Sequence, residues 1–148
     1  MGTRRSKGTA APIMRSLVGT ARNVSVPVVV AYDHYDQVYD FEDGAGTRYR
    51  WDVGRALQMA QARGDLLTFC PADHGITLDE IRERHRNLNE RYAMTTDTRR
   101  PVLFVQMPSG EHQLIDGWHR LFRAIATGVQ ELPAYLLTNE EAAAVRIL

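Results

Sequence analysis

Apolar residues along this chain recur with two different periods, and the points where the period changes mark out a series of strands and helices. The stretch VSVPVVVAY, residues 24–32, is β-branched and strand-forming, with Pro27 pointing to an edge position or a bulge. Residues 37–41 and 47–51 read as a hairpin across the turn Asp43-Gly44-Ala45-Gly46. Asp52 then suits an N-cap, because Val53, Ala56, Leu57 and Ala60 share one face of a helix through Arg63 that Gly64 closes. Leu66 to Phe69 reads as a short strand or an extended connection. Thr77-Leu78-Asp79-Glu80 spells a capping box and predicts a second helix to about Asn89 or Tyr92, with Leu78, Ile81, His85 and Leu88 inward. After a polar stretch from Met94 to Arg100, the apolar run VLFVQM follows Pro101, and Pro108-Ser109-Gly110 turns it back toward Gln113 to Ile115. Thr138 caps a last helix that begins with two acids.

The informative stretch is QLIDGWHRLFRAIATGVQELPAY, from Gln113 to Tyr135. A strand end meets the turn pair Asp116-Gly117, and Trp118, Leu121, Phe122, Ile125 and Ala126 then follow the spacing of a buried helical face. His119, Arg120 and Arg123 fall on another side. Gly128 ends the helix, and a strand from Leu132 to Leu137 follows. The opening N–H groups of a helix lack intrahelical partners and carry the positive end of its dipole, so such a turn can hold an anion. Gly117 would let a ligand approach the backbone, and His119 and Arg120 would add donors. The plainer alternative makes Asp116 a helix cap and leaves Arg120 and Arg123 solvated.

The run IDGWHRLFRAIATGVQELPAYLL resembles the signature of the ParB/sulfiredoxin superfamily: a strand, a DG-x-HR or G-x-HR turn, a helix, a glycine and a proline-containing strand. The likeness covers roughly Pro101 to Leu137 and rests on Ile115, Asp116, Gly117, His119, Arg120, Ala124, Gly128 and Pro133. It implies binding of a nucleotide or of nucleic-acid phosphates through Gly117, His119 and Arg120. Sulfiredoxins carry a catalytic cysteine where this chain has Trp118, which cannot act as a thiolate, so sulfinic acid reduction is not expected. In ParB a longer arginine-rich turn precedes a helix-turn-helix domain that is not expected here. The implied relative is a stand-alone ParB N-terminal-like domain, a group that also includes small-molecule kinases.

A chain of 148 residues, 44% hydrophobic and 24% charged, suits one α+β domain: a compact mixed β-sheet with packed helices over residues 24–148. Eighteen basic and eighteen acidic residues cancel, which removes the broad positive field of a dedicated DNA-binding protein. The exception is residues 1–23, expected to be a disordered basic arm, where Arg4, Arg5, Lys7, Arg15 and Arg22 meet no acid and could touch nucleic acid. A single cysteine, Cys70, suits a reducing cytoplasm, and no apolar run reaches the roughly 18 residues of a membrane helix. Asp33, Asp36, Asp40, Glu42 and Asp43 could hold a divalent cation, but their spacing is not that of an EF-hand and exposed loop acids are the preferred reading. The five histidines show no metal-binding spacing.

The leading expectation is a nucleotide, ATP or CTP with Mg²⁺, or another phosphorylated ligand bound at residues 116–120. Gly117, His119 and Arg120 would meet phosphate, Arg123 would assist, and Asp116 would serve as metal contact or base. If a reaction follows, it would be NTP hydrolysis or phosphoryl transfer. The alternative is a nucleic-acid-binding or partition accessory module without catalysis. A protein-interaction module in which Trp118 blocks the seat is the third.

Overall fold

The computed structural model describes residues 37–147 and, as backbone alone, two short strands, β1 (Thr3–Arg5) and β2 (Ala21–Arg22). The strand expected over residues 24–32, the arm residues Lys7 and Arg15, and the acids Asp33 and Asp36 lie outside the described residues. The fold is mixed α+β, with two sheets and five α-helices among the described residues. No described helix is long and apolar enough to cross a membrane.

The smaller sheet forms where the hairpin was expected. β3 (Val38–Glu42) and β4 (Arg48–Asp52) pair antiparallel, and β1 runs parallel to β3 on its other side. Asp43 builds the turn between them, its Oδ1 accepting from the N–H groups of Ala45 at 2.9 Å and Thr47 at 2.8 Å. Asp40 pairs with Arg50 across the hairpin. Two members of the acidic cluster thus have local structural tasks. The inner face carries Tyr39, Phe41, Tyr49 and Trp51, all buried. The chain end docks on the same sheet, where Asp52 N–H donates to Val145 O and Ile147 N–H to Arg50 O.

α1 (Val53–Arg63) starts at Asp52, whose side chain accepts from Arg55 N–H, and stops at Gly64 in the left-handed region. It leads into β5 (Leu66–Phe69), part of the larger sheet. That sheet is ordered β2-β5-β8-β6-β7, where β6 is Val102–Gln106, β7 His112–Asp116 and β8 Leu132–Leu137. β6 and β8 are parallel neighbours, while the other pairs in this sheet are antiparallel. A parallel pair needs a crossover, which β7 and α4 (Trp118–Thr127) supply. Pro133 comes one residue before β8 begins pairing with β6 at Ala134, so its missing N–H interrupts nothing on that side. α5 (Asn139–Ala144) opens with a reciprocal capping box between Thr138 and Glu141.

Two expectations need correction. The helix begun at Thr77 is α2 (Leu78–Arg84), and a separate single turn, α3 (Glu90–Ala93), follows. The break falls at His85, as its ring enters the core between Tyr39 and Trp118, with centroids 5.9 and 4.4 Å away. Its backbone leaves helical geometry to do so, at φ −128° and ψ 76°. The buried face of α4 is also rotated from the expected one: Ala126 is exposed, whereas Arg120 and Ala124 are buried beside Trp118, Leu121 and Phe122.

Candidate functional site

The strand β7, the turn Asp116-Gly117 and α4 assemble as the spacing predicts, and Gly117 takes φ +107°. Gly117 is required for a packing reason. A Cβ at this position would lie 2.5 Å from Val102 Cγ1 and 3.2 Å from Val102 Cα, so the turn is pressed against the start of β6. No side chain caps α4. Trp118 is fully buried, and its Nε1 donates to Leu114 O at 3.2 Å, so its ring turns into the core and does not occupy the space above the turn.

That space is a cavity of about 250 Å³ lined by ten residues, among them Asp116, Gly117, His119 and Arg120. Four of the five residues singled out from the sequence therefore share one wall. Arg123 does not line the cavity. Its Nη1 donates to Thr96 O and holds the preceding loop in place.

Arg120 is 8% exposed, because its guanidinium bridges the turn to β6. Nη2 donates to Asp116 Oδ2 at 2.9 Å and Nη1 to Pro101 O at 3.0 Å. A carboxylate and a guanidinium this buried would each be costly alone, so each fixes the other. Asp116 is correspondingly tied to a cation rather than poised as an isolated base. His119 is held from the other side: Asn89 N–H donates to its Nε2 at 3.3 Å, and the Tyr92 ring meets it edge to face at 5.0 Å.

The rest of the lining is formed by Tyr92, Thr95, Thr96, Asp97 and Arg100, together with the buried Gln37. In the sequence this loop looks merely polar. What places it here is the register of the β6–β7 hairpin, in which Leu103 faces Asp116 and the residues before Pro101 come alongside the turn after β7. Asp97 is held at about 2, first by the Arg99 guanidinium and then by the Arg99 N–H. It is therefore an anion throughout the physiological range, and the cavity wall carries both signs of charge: Arg100 and Arg120 against Asp97 and Asp116, with the His119 imidazole, neutral while its Nε2 accepts from Asn89 N–H, beside them.

No group of three or more His, Cys, Asp or Glu side chains that could hold a metal ion occurs among the described residues. Asp97 and Asp116 are the cavity's carboxylates, and a Mg²⁺ ion commonly uses one or two such groups together with the phosphates of its ligand. Cys70 is set apart from this chemistry: burial pushes its thiol up, and the Asp73 and Glu131 carboxylates push the same way. In the basic arm, Arg4, Arg5 and Arg22 fall in strands described by backbone alone. Compared with family models, curated proteins and solved structures, the chain matches none.

Proposed function

We propose that this protein binds a nucleotide or a similarly phosphorylated ligand in the cavity above the Asp116-Gly117 turn. The observation that carries the reading is the opening of the turn into that cavity with His119, Arg120 and Arg100 on its walls. The ParB/sulfiredoxin-like motif supports the same reading, because its glycine, histidine and arginine are the residues at the turn. In this arrangement His119 and Arg100 donate to phosphate oxygens, and Arg120 contributes charge while remaining tied to Asp116. Asp97 and Asp116 would repel a bare polyphosphate, which makes Mg²⁺ the natural companion of the ligand. If turnover follows, phosphoryl transfer or NTP hydrolysis is the chemistry such a site serves, because positioning and charge neutralisation do most of its work.

Arg120→Ala is a poor test, since it leaves the Asp116 carboxylate buried without its cation and would cost about 3–5 kcal/mol of stability. His119→Ala and Arg100→Ala leave that pair intact. Calorimetric titration of ATP, CTP and ADP with Mg²⁺ should show each variant binding about tenfold or more weakly than wild type, the loss expected for one charge-assisted hydrogen bond. Equal affinity in all three proteins, or no binding to the wild type, would overturn the proposal.

A further inference from the structure

Tyr92 is the most exposed of the large aromatic residues described, with 54% of its surface open, and it stands on the wall of the cavity. An aromatic side chain left in water beside a polar pocket is conspicuous, because burial of its ring would be favourable. It is also fixed in place. Asn89 Oδ1 accepts from Tyr92 N–H at 3.0 Å, and Tyr92 O accepts from Thr95 N–H at 2.9 Å and from Thr95 Oγ1 at 2.7 Å. α3 packs against α4, and the edge-to-face contact with His119 orients the Tyr92 ring.

The size of the cavity gives this ring a task. About 250 Å³ lies below the roughly 300–1,000 Å³ of pockets that enclose a drug-sized ligand, so a larger ligand would seat one end and leave the other at the rim. We infer that the ligand carries a planar ring as well as phosphate, with its phosphate end at the Gly117 turn and a nucleobase stacked on Tyr92. The inference rests on the phosphate-binding reading above and assigns the ligand's second half. Stacking on an aromatic face accepts any base, so the site favours nucleotides over inorganic phosphates and discriminates weakly among bases.

The test compares ATP and CTP with inorganic tripolyphosphate, each with Mg²⁺, on wild type, Tyr92→Phe and Tyr92→Ala. Thermal melts serve as the folding control. The wild type should prefer either nucleotide over tripolyphosphate by about tenfold or more, the margin expected of one stacked base. Tyr92→Phe keeps that ratio and Tyr92→Ala collapses it. Binding of tripolyphosphate as tightly as ATP and CTP by the wild type would overturn the inference and leave the phosphate seat standing. An unchanged ratio in Tyr92→Ala would do the same. Failure of all three ligands to bind the wild type would overturn the seat and the inference together.

Discussion

Gly117 shows how one residue can meet two demands. Its φ of +107° lies where side chains are strained, and the space a Cβ would need is filled by Val102. Gly117→Ala should therefore cost about 3 kcal/mol, combining the strain of a forbidden backbone conformation with overpacking against β6. Urea denaturation measures it. Adding Val102→Ala should recover only part of the loss, because Val102 Cβ would still stand 2.8 Å from the new methyl and the backbone strain is untouched. Stability equal to wild type in Gly117→Ala would remove the packing argument. The DG pair reads in the sequence as a turn, but nothing local reveals that Val102 fills the space beside it.

Among the elements, α3 is the least self-sufficient and the most consequential for the site. A four-residue helix has too few internal bonds to persist alone, so its shape depends on its ends. Asn89 secures the first end twice, by accepting from Tyr92 N–H and by donating its own N–H to His119. Removing this cap with Asn89→Ala should cost about 1 kcal/mol. Hydrogen exchange should locate the effect, with the amides of Tyr92 and Ala93 exchanging faster and those of β6 unchanged. Unaltered exchange at Tyr92 would mean that packing on α4, and not the cap, holds the ring. The capping pattern at Thr77 correctly marks where α2 starts. Its early stop escapes sequence periodicity because His85 fits both a continuing helix and a core ring, and the Tyr39 and Trp118 rings favour the second.

For the whole molecule, the larger sheet carries a pH dependence that the sequence does not announce. His112 is 6% exposed on β7, and burial, followed by the neighbouring His74, pushes its pKa below the ordinary 6.5. The ring nitrogen Nε2 of His74 is buried without a hydrogen-bond partner among the described residues. The folded protein thus binds fewer protons at His112 than the unfolded chain does, so stability is full above pH 6.5 and is lost as pH falls through the lowered value. Thermal melts between pH 7.5 and about 5 should show a smaller decline in His112→Gln than in wild type. An identical decline in the two proteins would refute the assignment.

The sequence by itself determined where β3 to β8 and the helices α1, α2, α4 and α5 lie, and the α+β class they build, but not the separate turn α3 or the strands β1 and β2. Those outcomes depend on caps, turn glycines and apolar spacing, which act over a few residues. It also marked residues 116–120 as the place to look. Tertiary structure alone decided what these residues touch: that Arg120 is tied to Asp116 and Pro101, that Arg123 holds the loop at Thr96, and that Tyr92 and Arg100 face the turn. Partners of this kind are set by strand register and by helices packing across the chain. Neither leaves a period in the local sequence, because the residues that meet are brought together only when the sheet has closed.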